Sequence, residues 1–460
     1  MDDQQKVLRA WVRVGMARDD FMSSQDAILE LMQIAETEAS RLDSKEYIAK
    51  KLCDSLGRSD ISETASQTIF DGVSQFVEKY RAIRQASSEA SSEGVEAEAD
   101  VAQETKAEEA FNSEVRVLNH LLISEGLPAE AVSRAIRQFW RLNRRGPRSA
   151  LLRESLFISA VSQFETFVAR TISESLHFSP EPLKESGRTY AFHEVANHKD
   201  LEAFTLGAAD DYADKLMREP MSKWLKFFGT SLRQDIMWVD DYLNEILQRR
   251  HIHVHADGRV SAQYIDKTEK VSGVKKGKRL PVTAEYLQSA LDRLVDVVLF
   301  ISQASLFAIR ESKLAGRVGF TPDDGKINEV VFELLLEGRP GAVAGIFDRV
   351  NASLWSNATR EHLRANSWLA MKMLGRLDEI RSDVERWDVS LSERMSLAKA
   401  CLLETPEAQG MLNRLMEEGE ITVLDAAIWP LFEPLRRARA LEGVTPSSET
   451  SPRMSSTGNS

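Results

Sequence analysis

The stretch DYLNEILQRRHIHVHADGRVSAQYI, from Asp241 to Ile265, decides how the chain is read. It opens with Tyr242, Leu243, Ile246 and Leu247 at the spacing of a helix with one apolar face. On the same run stand Arg249 and Arg250, then His251, His253 and His255, in a chain with only 8 histidines. If the helix continues through the histidines, His251 and His255 share a face, and Arg250 and His255 are offset by about 140 degrees. Asp257 and Gly258 signal a turn, and Arg259–Ile265 reads as a short extended segment. The cations then gather at a helix C-terminus, where the partial negative charge of the helix favours them.

Working outward, the segment Leu151–Phe178 carries Phe157, Val161, Phe164, Val168 and Ile172 at close to heptad spacing, and predicts a long helix ending before Pro180 and Pro182. Tyr190–Asp214 mixes polar and apolar stretches and is expected to be a loop-rich insertion. One or two helices then lead into the motif, with Trp224, Phe227, Phe228 and Trp238 as core. Beyond it, Lys267, Lys270, Lys275, Lys276, Lys278 and Arg279 crowd a Gly-containing hairpin or loop, followed by an amphipathic helix from Thr283 to Arg310.

Arg250, four intervening residues and His255, with a polar His251 after the arginine and a glycine turn after the last histidine, resembles the R-x4-6-H motif of HEPN domains. The long helix with its FETFV core around Phe164 and Glu165, the turn and excursion from Gly258 to Tyr264, and the closing helix LPVTAEYLQSALDRLV are similar to one branch of that superfamily. The resemblance covers roughly Arg148 to Glu311. It implies an all-helical module of the kind found in prokaryotic toxins and defence systems, usually a two-fold dimer in which two motif copies share a cleft.

Metal-free RNA cleavage needs a proton removed from a ribose 2'-hydroxyl, charge stabilised on phosphorus, and a proton given to the leaving oxygen. Histidine titrates near working pH, and the guanidinium of arginine clamps phosphate oxygens in pairs. The resemblance therefore makes His255 the acid/base residue, Arg250 the phosphate stabiliser and His251 a polar helper. Arg249 is expected beside them on the RNA, although adjacent arginines at a helix end also serve simply to compensate its dipole. His253, between Ile252 and Val254, reads as structural. Taken as an extended strand, HIHVH would place three imidazoles on one side and suit zinc, but no second His or Cys cluster supports a metal, and no cofactor is expected.

The length of 460 residues, 43% hydrophobic and 28% charged, suits a soluble protein of two to four domains. No apolar run approaches the roughly 20 residues that cross a bilayer, and the N-terminal residues lack a signal peptide's hydrophobic region, so a cytoplasmic location without membrane contact is expected. Two cysteines, Cys53 and Cys401, make no disulfide framework. A net charge of -12 confines RNA contact to local basic patches.

In chain order, residues 1–86 read as a unit of several short helices, and 87–110, rich in Ser, Glu and Ala, as an acidic disordered linker. Residues 111–147 form an Arg-rich helical segment. There Arg134, Arg137, Arg141, Arg144 and Arg145 are a candidate phosphate-contacting stripe, or equally a solvated face, with Phe139 and Trp140 interleaved. Residues 148–312 are the HEPN-like domain, 322–440 a helical extension of tetratricopeptide (TPR) type that would take a protein partner, and 443–460 a disordered tail. The whole reads as an all-α protein: a central HEPN-like helical bundle flanked by an N-terminal helical unit and a C-terminal TPR-like extension. The function expected is a metal-independent endoribonuclease of bacterial antiviral defence or toxin-like growth arrest, with Lys275, Lys276, Lys278, Arg141, Arg144 and Arg145 contacting RNA. The alternative is a non-catalytic HEPN dimerisation scaffold that presents the helical extension.

Overall fold

Asp2 starts the first helix, α1 (Asp3–Asp43), by accepting the backbone N–H of Gln5 at 2.7 Å while the Gln5 side chain accepts from the Asp2 N–H at 3.3 Å. Val7, Ala10, Val14, Ala17, Phe21 and Ile28 are buried along one stripe. The sequence predicts several short helices here, but the stripe runs on past Gly15, whose backbone faces open space. A helix-interior glycine costs about 1 kcal/mol, and packing along the stripe outweighs it. The structure, a computed structural model, describes residues 2–92, 97–128, 131–143, 148–185, 187–232, 241–272, 274–322, 325–349, 356–389 and 392–442. Among these it is all-α, with no strand and a single isolated bridge, Arg259 to Arg279.

After α1 come α2 (Lys45–Ser55), α3 (Glu63–Ser92), α4 (Ala97–Ser124) and α5 (Ala131–Asn143). These four have a core of their own, built from Leu52, Ile69, Phe70, Val73, Phe76, Leu118, Leu122 and Phe139. Helices α3 and α4 approach so closely that a Cβ on Gly72 would collide with the Leu121 side chain. The acidic segment expected to be a disordered linker is helical at 87–92 and 97–110, where it forms the end of α3 and the start of α4. Its Glu- and Ala-rich composition favours helix once flanking residues such as Phe76 and Phe111 pin the two ends together, with ring centroids 5.9 Å apart. The N-terminal unit therefore lacks α1 and includes α5, with its exposed Arg134, Arg137 and Arg141.

The central bundle pairs α1 with α6 (Arg148–Phe178). The two run antiparallel, as their ion pairs register: Arg13 to Glu174 at 2.8 Å, Asp20 to Arg170 at 2.6 Å, Glu36 to Arg153 at 2.6 Å, and Asp43 to Arg148 at 3.6 Å. Short helices α7 (Glu181–Glu185) and α8 (Phe192–Ala196) lead to α9 (Leu201–Met217) and α10 (Met221–Leu232). Much of the expected insertion is thus the regular helix α9, begun by Asp200, which accepts the Ala203 N–H at 2.8 Å. Trp224, Phe227 and Phe228 are core, whereas Trp238 lies outside the described residues. The motif helix α11 (Asp241–His255) and α12 (Ala262–Ser272) precede α13 (Ala284–Arg310), which Thr283 caps. From Ala290 to Leu306 almost every residue of α13 is buried, so this helix is the axis about which the others pack.

Helix α14 (Lys313–Val318) is followed by α15 (Lys326–Leu336), a 3-10 turn at Pro340–Ala342, α16 (Ile346–Arg349), α17 (Asn357–Met373), α18 (Leu377–Arg386), α19 (Glu393–Leu403), α20 (Ala408–Glu417), α21 (Val423–Ile428) and α22 (Glu433–Glu442). Their buried residues, from Ile327 to Phe432, continue the core of the bundle without a break. Gly341 lets the 3-10 turn sit against α13, since a Cβ there would be 2.8 Å from the Asp292 carboxylate. The tail from 443 lies outside the described residues.

Candidate functional site

Helix α11 is anchored by its apolar face and by one acid. Leu243, Ile246 and Ile252 are buried, and Glu245 among them is only 2% exposed. A lone buried carboxylate would be costly, but this one accepts from Tyr264 at 2.5 Å, Tyr286 at 2.7 Å and Arg249 Nε at 2.7 Å. The Arg249 guanidinium also lies over the Tyr286 ring, 3.7 Å from its centroid. Burial and the Glu245 charge raise both tyrosine pKa values, which keeps the hydroxyls as donors. Arg249, expected on the RNA, is thus turned inward as the partner of a buried acid.

His253 is also turned inward. Its ring meets Phe157 edge-on at 6.2 Å, and burial, then Arg279 and Arg249, push its pKa down to about 4. Glu154 stands 3.9 Å away, too far to hold a proton on the ring, because Arg279 already holds that carboxylate at 2.8 Å. His253 is a neutral core residue, as the sequence suggests.

The turn after α11 sets the rest of the site. Asp257 and Gly258 both have left-handed backbones, φ +51° and +68°, and a Cβ on Gly258 would come within 2.8 Å of the His253 ring. The chain then pairs back on itself: Val260 N–H donates to Lys278 at 2.9 Å, Gly277 to Val260 at 2.8 Å and Leu280 to Gly258 at 2.9 Å. The extended segment expected from Arg259 to Ile265 shrinks to this bridge, and α12 begins at Ala262. Tyr264 and Val260 must turn inward to cover Ile252 and Leu280, and a helix does this while Thr268 bonds back to the Tyr264 carbonyl. Lys275, Lys276 and Lys278 are left exposed on the returning strap.

The outward side of α11 holds Arg250, His251 and His255. Arg250 Nη2 stands 3.4 Å from Glu165 of α6, each about one quarter to one third exposed at 26% and 31%. Burial raises the Glu165 pKa, and Arg250 opposes the rise. Arg250 Nε is buried without a hydrogen-bond partner among the described residues. His251 and His255 are exposed, one turn apart, with ring centroids at 4.6 Å. Burial and then His255, Lys267 and Arg250 lower the His251 pKa, which favours its neutral form. The helical path sends His253 to the opposite side, so the three imidazoles do not converge, and no group of His, Cys, Asp and Glu among the described residues could hold a metal.

No family model matches the chain, and no characterised protein or solved structure is significantly similar to it. The site therefore rests on its own geometry.

That geometry sets His251 against His255 and within electrostatic reach of Lys267 and Arg250. Arg141 is elsewhere, exposed on α5 in the unit with the separate core, and Trp140 beside it stacks under Arg81 at 4.6 Å. Arg144 and Arg145 lie outside the described residues. Sequence reading did not find the Glu165–Arg250 pair or the Glu245 hub. In the sequence Glu165 stands out only as part of the FETFV core of the long helix; the approach of α11 gives it a partner. Cys53 and Cys401 are both free and buried, and burial pushes Cys401 up to about 12.

Proposed function

We propose that this chain is a metal-independent endoribonuclease of HEPN type, acting in antiviral defence or toxin-like growth arrest in the cytoplasm. The observation that carries the reading is the sorting of the motif: Arg249 and His253 are turned inward, whereas Arg250, His251 and His255 remain at an exposed helix end. In this reading a histidine takes the 2'-hydroxyl proton, O2' attacks phosphorus, and the P–O5' bond breaks to leave a 2',3'-cyclic phosphate. The leaving O5' takes a proton from an imidazolium. His255 serves this acid/base chemistry, neutral His251 lies in contact with it to exchange or position a proton, and Arg250 stabilises the phosphate charge. Glu165 holds the guanidinium against α6, which reduces the ordering required when phosphate binds. A homodimer that joins two such helix ends would supply an acid and a base on opposite sides of the phosphate.

The experiment is cleavage of labelled single-stranded RNA by the purified protein in EDTA. Arg250→Ala and His255→Ala should each abolish cutting without changing the helical circular dichroism. An inert wild type that is folded and dimeric, tested across several RNAs, would refute the nuclease reading. A specific observation favours a second reading in that event: the Arg250 guanidinium is already paired with an acid. The protein would then be a HEPN-like scaffold whose TPR-like C-terminal helices present a partner-binding surface.

A further inference from the structure

A cleft of about 870 Å³ opens where α1, α13 and the turn after α15 meet, on the other end of α11 from the histidines. This is the size of a small-molecule site. Its charges sort into two groups. Asp296 is already held by Arg293 and Arg349, and Asp292 accepts from Arg339 Nε at 3.2 Å and Gln288 at 3.1 Å. These carboxylates are neutralised by the walls.

Arg339 is the unusual member. It is 3% exposed and lines the cleft, yet Nη1 and Nη2 have no hydrogen-bond partner among the described residues. The nearest acids to Nη1 are Asp26 at 3.8 Å and Glu337 at 3.9 Å, outside hydrogen-bond range. A buried guanidinium whose two terminal nitrogens make no hydrogen bond among the described residues calls for an acceptor pair in fork geometry. Asp26, Glu30 and Glu337 add further negative charge to the cleft lining, Asp26 and Glu337 reaching Arg339 only at ion-pair distance. A phosphate would satisfy the guanidinium but face these acids. A simple amine would satisfy the acids but leave the guanidinium without acceptors.

We propose that the cleft is a binding site for a small zwitterion of the α-amino-acid class. The ligand carboxylate takes the Nη1 and Nη2 donors of Arg339, and its ammonium lies among Asp26, Glu30 and Glu337. The remaining wall, Leu29, Met32, Tyr242 and Leu374, is apolar and aromatic and suits a hydrophobic side chain. Tyr242 belongs to the first turn of α11, and its ring meets Tyr286 of the Glu245 hub at 6.4 Å. Occupancy of the cleft therefore touches the helix that carries Arg250 and His255. The site itself stands independently of the nuclease reading.

The test is a thermal-shift screen of the full-length protein against the proteinogenic L-amino acids one at a time, with calorimetry on any that respond. At least one amino acid with an apolar side chain should raise Tm by about 2 °C at tenfold excess over Kd. Its decarboxylated amine, its deaminated acid and inorganic phosphate should each bind at least about tenfold more weakly. Arg339→Gln should weaken binding by about tenfold or more. Because Arg339 also holds Asp292, a second variant is needed: Ser289→Trp, on an exposed position of α13 that lines the cleft, fills the space and leaves that pair intact. It should abolish binding. Failure of every amino acid to bind the wild type, equal binding of the amine or of phosphate, or full binding by Ser289→Trp would each overturn the proposal.

Discussion

His253 gives the fold a specific weakness to acid. In the unfolded chain its imidazole takes a proton near pH 6.5, whereas in the folded protein burial, Arg279 and Arg249 hold its pKa near 4, opposed only in part by the Leu280 backbone and Asp257. Glu154 adds no counter-charge, being occupied by Arg279. Between these two values the unfolded state binds a proton that the folded state does not, so stability falls as pH drops. Above pH 6.5 the contribution is fully present; by pH 4 about 3 kcal/mol of it is gone. His253→Phe keeps the edge-on contact with Phe157 and removes the titration. Urea unfolding of both proteins at pH 7, 5.5 and 4, followed by circular dichroism, measures the difference. The wild type should lose about 3 kcal/mol more than the variant across that range, whatever the variant costs at pH 7. Parallel acid slopes, or a ring resonance of His253 that titrates above pH 6 in the folded protein, would refute the reasoning.

The Glu245 hub predicts that Glu245→Ala costs about 3–5 kcal/mol, because Arg249 is left buried without its carboxylate; Tyr286→Phe, losing one hydrogen bond, should cost about 1–2 kcal/mol in the same urea titration. Gly258→Ala meets both a left-handed backbone and the His253 ring, and should lower stability by about 2 kcal/mol or more and expose the α12 strap to proteolysis. Should the protein bind RNA as proposed, neutralising Lys275, Lys276 and Lys278 one at a time should weaken binding evenly across sequences. Each change should reduce the slope of log affinity against log salt by about 0.7, as read by fluorescence anisotropy.

The all-helical character and the course of α6, α11 and α13 were legible because each carries enough periodic apolar residues for local pattern and tertiary packing to agree. Where they disagreed, packing decided. The several short helices expected at the N-terminus gave way in α1 to one stripe that is continuous against its neighbours, and the acidic segment became helix because α3 and α4 hold its ends. At the site, the resemblance to the HEPN motif proposes Arg250, His251 and His255, but the sequence does not show that Arg249, unlike Arg250, turns inward. That distinction depends on Tyr286, reached only through the packing of α13, and on Glu245 needing three donors at once.

The same helix geometry accounts for why a run of five cations does not simply repel itself apart. Successive side chains on α11 step by about 100 degrees, which sends Arg249 to Glu245, His253 to a neutral pocket and Arg250 to Glu165. Two of the five positions thus gain acids and one sheds its charge, leaving His251 and His255 as the exposed pair. Of these, His251 has its pKa lowered by burial first and then by His255, Lys267 and Arg250, which favours the neutral ring. Burial and local repulsion together thus shift a protonation equilibrium near a guanidinium paired with Glu165. In the nuclease reading proposed above, an imidazole biased toward its neutral form near Arg250 would serve as a proton acceptor where the guanidinium receives developing phosphate charge.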